Sequence, residues 1–144
     1  MKTILYIIII VASLLIPTEK ADVAKLQPVE AVMLRNVNGK TEILTDTCAW
    51  GRGDNAQEAL ADLISNTPEL VYLDTAKYLI VDELSVTEID NLRQDLKGSV
   101  KLCRWNGEGE FKDVVMYFSV HGDLPTLKKW KQSDNIPQYV CKNM

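Results

Sequence analysis

Thr41-Glu-Ile-Leu-Thr-Asp-Thr-Cys-Ala-Trp-Gly-Arg-Gly-Asp-Asn-Ala-Gln-Glu-Ala-Leu-Ala-Asp-Leu-Ile-Ser-Asn66 is the run around which the rest of the chain is organised. It reads as a strand carrying Ile43, Leu44, Cys48 and Trp50, a glycine-bracketed turn, and an amphipathic helix. Gly51 and Gly53 permit backbone angles that a side chain with a Cβ disfavours. Asp54 suits the helix N-cap, with Gln57 three residues later completing a capping-box pattern. Ala56, Ala59, Leu60, Leu63 and Ile64 then recur at the spacing of one buried helical face.

Working outward, Asn38-Gly39 between two strand-like runs is a strong hairpin signal, because a type I′ turn needs positive φ at both central residues. Strands are expected at about 29–37 and 40–49, and the consecutive Val32, Met33 and Leu34 predict burial on both faces of the sheet. Beyond the helix, Leu70 to Leu73 is a short extended piece and Ala76 to Val81 a better strand. Ser85-Val86-Thr87-Glu88 is a capping box opening a second helix, and Gly98 stands where its C′ glycine belongs. Ser99 to Trp105 is a strand, Asn106 to Gly109 a turn, and Phe111 to His121 a third helix. Asp123-Leu124-Pro125 resembles one more helix start, with Leu127 and Trp130 three apart. The remaining C-terminal residues carry too few apolar side chains for more than a docked tail. Strands alternating with helices predict an α/β fold: a small mixed, mostly parallel sheet with an N-terminal β-hairpin and packing helices.

The chain has 144 residues, of which 47% are hydrophobic, enough to bury a core as one domain. Residues 1–21 are expected to be a signal peptide or N-terminal membrane anchor, 22–27 a tether, and 28–144 the domain. Lys2 supplies a basic start, and the 13-residue apolar run Ile4 to Ile16 ends at Pro17. That run is shorter than a comfortable spanning helix and matches a signal core. No clean small-x-small cleavage site follows it, so cleavage and anchoring both stand. The chain is expected to be exported: extracytoplasmic, secreted or anchored, with membrane contact only through residues 1–20. Net charge is −4 overall. Lys2, Glu19 and Lys20 give residues 1–20 a charge of +1, so the rest carries −5. An acidic body lacks the basic field that nucleic acid requires.

Cys48, Cys103 and Cys141 are an odd set for an exported protein, and one disulfide with one free thiol is the simplest arrangement. Tying down the C-terminal tail favours Cys103–Cys141; three reduced thiols remain the plainer alternative. No metal or cofactor motif is present, so none is expected.

Five residues are candidates for ligand binding. Gly51, Arg52 and Gly53 precede a helix N-terminus, where free amides, the helix dipole and a guanidinium can hold an anion. A tight turn with capping explains the same residues, and Asp54 places a carboxylate where the anion would sit. Asp82 and Glu83, with Asp74, follow middle strands at what reads as the C-terminal edge of a parallel sheet, where ligands often bind. They serve equally as polar turns. His121 has only Asp123 near it in sequence, which makes a helix-end imidazole the simpler reading. Trp50, Trp105 and Tyr72 offer an aromatic patch for a partner, although core packing is the commoner use of such rings.

The segments Gln57-Glu58-Ala59-Leu60-Ala61-Asp62-Leu63 and Tyr72-Leu73-Asp74-Thr75-Ala76-Lys77-Tyr78-Leu79-Ile80-Val81-Asp82-Glu83, then Ile89 to Leu96 and Val100 to Cys103, carry a family resemblance. Over about residues 29–120 the chain resembles the N-terminal domain of the spore-germination C-subunit family, the Ger(x)C type lipoproteins of nutrient germinant receptors. The resemblance implies a non-enzymatic domain outside the cytoplasmic membrane that acts through a protein partner, and it supplies no catalytic residues. The chain departs from the family in lacking a lipid-accepting cysteine after the apolar run and in containing one domain where the family has two more. The function expected is a non-catalytic interaction or binding module, possible roles lying in sporulation or germination. Two alternatives stand beside it: a small extracytoplasmic anion- or ligand-binding hydrolase using the Gly51–Asp54 turn, and a structural assembly subunit.

Overall fold

A computed structural model of the chain describes residues 26–139, except 68, 108, 121 and 122. The order is β1 (Leu26–Pro28), β2 (Ala31–Val37), β3 (Lys40–Thr45), β4 (Trp50–Gly53), α1 (Ala56–Asn66), β5 (Leu70–Tyr72), β6 (Tyr78–Val81), β7 (Lys101–Arg104) and α2 (Phe111–Val120). A 3-10 segment, Glu83–Leu92, joins β6 to β7. Five strands form one sheet in the order β4-β3-β2-β6-β7, and β1 pairs with β5 in a separate two-stranded sheet. In the main sheet β4, β3 and β2 are antiparallel neighbours, whereas β2-β6 and β6-β7 run parallel. The mixed α/β architecture is the one expected. Leu26 and Gln27 belong to β1 and not to a tether, so the ordered fold begins before Pro28.

The Asn38-Gly39 hairpin forms as its sequence requires, with φ of 53° and 77° and Val37 facing Lys40. Alternate side chains of β2 enter opposite cores, which is why Val32, Met33 and Leu34 are all buried. On one face Val32, Leu34, Ile43, Leu79, Val81 and Leu102 pack with Ala59 and Leu63 of α1, with Ile89 and Leu92, and with Trp130. On the other, Ala31, Met33, Ile80 and Cys103 pack with Val114 and Phe118 of α2 and with Tyr139.

The stretch around the glycines differs from its expected form. The strand does not run on to Trp50: β3 ends at Thr45, the chain turns through Asp46 to Cys48, and residues 50–53 return as edge strand β4. Gly51 and Gly53 therefore lie inside a strand, and neither has positive φ. They are needed for close approach. A Cβ on Gly51 would lie 2.2 Å from both the Ala59 carbonyl oxygen and the Leu63 nitrogen; one on Gly53 would lie 2.4 Å from Glu58 Cβ. Helix α1 rests with its backbone directly on β4.

The helix start is also displaced by one residue. Asn55, in extended geometry, accepts from the Glu58 amide at 2.9 Å, and Glu58 Oε2 accepts from the Asp54 amide at 2.9 Å. Asp54 instead pairs with Lys40 across the hairpin. Gln57 donates to the Asn91 carbonyl in the 3-10 segment and to Asp95 just beyond it at 3.0 Å, which ties α1 to that stretch. The second helix likewise starts earlier than Ser85: Asp82 is its cap, accepting from the Ser85 amide at 2.8 Å. Ser85 is buried, its hydroxyl without a partner in the structure. Glu88 reaches away to accept from the Ala56 amide at 3.0 Å, so the box read on one helix caps another. Val86, Thr87 and Ile89 are β-branched and weaken α-helix here, and the 3-10 form spans more length per residue. Gly98 is not left-handed; it accepts from the Lys128 amide at 2.9 Å, with Lys128 packed close.

The helix expected after Asp123 is absent. Residues 124–127 run along β7 instead, with Leu102 N–H donating to the Pro125 carbonyl at 2.8 Å and Leu127 N–H to Val100 at 2.7 Å. Arg93 donates to the Leu127 and Trp130 carbonyls and stacks 5.7 Å from the Trp130 ring. Beyond it Arg104 N–H donates to the Pro137 carbonyl and accepts, through its own carbonyl, from Tyr139. Through Tyr139, the last described residue, the tail is docked, and it covers the β7 edge that would otherwise offer unpaired backbone.

Gly51→Ala is expected to destabilise the fold by about 3 kcal/mol or more, because backbone atoms must move to admit the methyl. Gly39→Ala, strained only in φ, should cost about 1–2 kcal/mol. Urea midpoints of the two variants check the order. Asn55→Ala should cost about 1 kcal/mol and Asp54→Ala distinctly less, since of these two only Asn55 bonds an amide of α1.

Candidate functional site

The anion site expected at Gly51, Arg52 and Gly53 is filled by the protein itself. The Arg52 amide donates to Asp62 Oδ2 at 2.9 Å, which also blocks the open edge of β4. At the start of α1 the amides of Asp54, Ala56 and Glu58 are taken by Glu58, Glu88 and Asn55. Three side-chain oxygens stand where an anion would bind. The Arg52 side chain leaves on the opposite face of the sheet, donating to the Val37 carbonyl at 3.1 Å.

Asp82 does follow the C-terminal end of β6, but both its oxygens hold backbone: Oδ2 accepts from the Asn36 amide at 2.7 Å and Oδ1 from Ser85. It locks β2 to the start of the 3-10 segment. Glu83 is exposed beside it, and Asp74 lies after β5 in the small sheet, away from both. Asp82 and Glu83 are thus not joined with Arg52 into one site. His121 and Cys141 lie outside the described residues. Among those described, no group of three or more His, Cys, Asp or Glu is placed to hold a metal ion.

The feature that does come together lies on the α2 face. Register places Trp50, Leu44, Met33, Ile80 and Cys103 in one row across all five strands. Helix α2 covers the Ile80–Cys103 half through Val114 and Phe118. It leaves the Leu44–Trp50 half open, and there a cleft of about 510 Å3 is lined by Met33, Leu44, Trp50, Trp105 and Phe111. Arg35, Asp46, Glu110 and Lys112 stand around it. Trp50 is 56% exposed. The two tryptophans that sequence favoured as core rings therefore share a surface cleft, Trp105 half-buried and Trp50 open. Tyr72, on β5, is not part of it. Volume and apolar lining match those of small-ligand sites.

Two residues further along the strands, about 7 Å away, runs a charged row. Arg35, Glu42 and Arg52 are cross-strand partners on β2, β3 and β4. Arg35 holds Glu42 Oε2 at 2.9 Å, and Arg52 approaches Oε1 at 3.7 Å. Glu42 is nearly buried, while both guanidinium groups keep part of their surface in water. Two positive charges share one carboxylate, so the row has one positive charge in excess.

Sequence reasoning offered Trp50 and Trp105, with Tyr72, as an aromatic patch but favoured core packing, because the cleft depends on which half of a row a later helix covers. One signal was available: Trp50 and Trp105 each stand two residues after a cysteine. Both described cysteines carry free thiols. Cys48 sits at the cleft mouth with φ of 67°, forced into the left-handed region by the turn. Cys103 is buried, and desolvation pushes its thiol up to about 12, against a small opposing effect of Lys101.

In a Cys141→Ser background, a thiol reagent at pH 8 should modify Cys48 in the native state and Cys103 only on unfolding. A raised folded pKa means that the buried thiol's contribution is complete below the ordinary value of 9.0, and stability falls as pH rises from there towards 12. Denaturation curves of wild type and Cys103→Ala at pH 8 and 10.5 check this: only wild type should lose stability through that group.

Comparison of the chain with family models, with curated proteins and with solved structures finds no match.

Proposed function

We propose that this chain is an exported or membrane-tethered, non-catalytic binding module whose binding face is the Trp50–Trp105–Phe111 cleft. The observation that carries the reading is the open half of the Trp50–Cys103 row: an aromatic surface left bare among the described residues, whereas the outer edges of β4 and β7 in the same sheet are hydrogen-bonded to Asp62 and to the C-terminal segment. Large exposed aromatic groups beside a cleft are typical of recognition surfaces. The basic start and 13-residue apolar run at Lys2 and Ile4 to Ile16 support export. The resemblance to the N-terminal domain of the germination C-subunit family supports a partner-binding role outside the membrane, in sporulation or germination. The hydrolase alternative loses its support at Gly51–Asp54, where the protein's own carboxylates occupy the helix start.

An assembly subunit is the second reading, favoured by α2. That helix buries Val114 and Phe118 yet leaves Met116 55% and Val120 74% exposed, one turn apart on its outer face.

Expression of the full chain in a spore-forming host, followed by fractionation and intact mass, tests the export reading. The chain is expected in the membrane or culture fraction, accessible to added protease in intact protoplasts. Recovery in the cytosol at full-length mass, protected from protease, overturns it.

A further inference from the structure

We infer that the open half of the sheet face is an interface with a second copy of this chain, helix α2 of each copy lying over β4, β3 and β2 of the other. This rests on the cleft being the binding face and adds which partner it takes.

The cleft does not end at Phe111. Its wall residues Asp46, Phe111 and Lys112 also line a second hollow of about 410 Å3, which continues along the flank of α2 past Val115, Met116 and Ser119. The open surface is thus a groove running from Trp50 along the helix, longer than a single pocket. What the face lacks, among the described residues, is a helix beside α2: one helix about 10 Å wide covers about two of five strands spaced at about 4.8 Å. Helix α2 itself is apolar on two sides. Val114 and Phe118 are buried against its own sheet, while Met116 and Val120 are exposed on the side turned away from it. A two-fold axis passing beside α2 meets both needs at once, since it lays the outer side of each helix on the bare strands of the other copy.

The charges of the rim fit a copy better than a strongly charged partner. Arg35 and Lys112 stand against Asp46 and Glu110, two of each sign. Arg35 is held by Glu42, and Asp46 accepts from the Glu30 and Ala31 amides. Glu110 and Lys112 are exposed and form no ion pair with a described residue. They stand two positions apart, a spacing at which side chains on a helix do not face each other. A surface with one unpaired charge of each sign beside an apolar centre is complementary to itself. Turned through a two-fold axis, Glu110 of each copy meets Lys112 of the other.

Sedimentation velocity of the purified full chain over a range of concentrations tests the assignment, and a monomer–dimer equilibrium is expected. Trp50→Asp and Met116→Asp, both at side chains more than half exposed, should each weaken the dimer roughly tenfold or more. Glu110→Lys and Lys112→Glu should each weaken it as well, by setting like charges opposite each other. An equimolar mixture of those two variants should dimerise again, because each supplies the sign that the other lacks, a recovery that misfolding does not produce. Association through residues 1–20 is common to every variant and shows as a part that no substitution on this face changes. A dimer that all four substitutions leave unchanged overturns the inference, since the copies then meet elsewhere. A monomer at every concentration also overturns it, and acrylamide quenching of Trp50, read as the difference between wild type and Trp50→Phe, then judges the cleft. If Trp50 is open to the quencher, the cleft stands as the binding face of a different partner. If it is shielded, residues 1–20 of the same chain occupy the cleft, and the reading of it as a binding face falls too.

Discussion

Helix α1 lies against β4 without side chains between them, and most of the architecture follows from that contact. At Gly51 the Ala59 carbonyl and the Leu63 amide occupy the place of a Cβ. Backbones this close leave room only for small residues, and Ala56 and Ala59 of the helix are fully buried at the same crossing. Since glycine contributes no side chain to hold an edge strand, β4 is secured by other means: Asp62 from α1 takes the Arg52 amide, and Arg52 reaches over the hairpin to Val37. The close approach also sets where the helix starts, so that Asn55, Glu58 and Glu88 gather at its first amides.

This arrangement divides the sheet into unequal faces. On the α1 side the core is continuous from β4 to Trp130, closed by the 3-10 segment and the C-terminal turn that Arg93 holds. On the other side, among the described residues, a single ten-residue helix lies over five strands, and it covers the β6-β7 half together with Tyr139. A helix is about 10 Å wide with its side chains, whereas five strands spaced at about 4.8 Å are nearly twice that. One helix leaves half the face open. The cleft is therefore a consequence of element count, and its aromatic rim and charged row give that open half a chemical character.

Individual residues show how far local signals reach. Asn38-Gly39 needs nothing beyond its neighbours, because positive φ at two positions is a local steric matter, and the hairpin is where its dipeptide places it. Gly51-Arg52-Gly53 has the same two steric explanations available, a turn or a close approach, and sequence does not separate them. The helix that forbids the Cβ is made of other residues, and only packing brings it there. Ser85-x-x-Glu88 has the spacing of a capping box, yet Asp82 three residues earlier is an equally good cap, and Glu88 finds an unpaired amide on α1 nearer than its own. Leu127 and Trp130 have helical spacing, but the backbone between Pro125 and Leu127 gains more by pairing with β7.

Hydrophobic periodicity, turn dipeptides and the N-terminal apolar run sufficed to set the α/β class, the Asn38-Gly39 hairpin, the helices near 56–66 and 111–120, the two-sided burial of β2 and the expectation of export, because each depends on spacing along the chain. The tertiary structure alone decided that the two glycines are a packing contact, that the amides of the proposed anion site are already bonded, and that Trp50, Trp105 and Arg35 border one cleft. Those properties join residues up to 70 positions apart across strand order and helix coverage. Local preferences along a chain carry no record of which distant surface will lie against them, and it is that choice which sets two tryptophans and an arginine around one cleft.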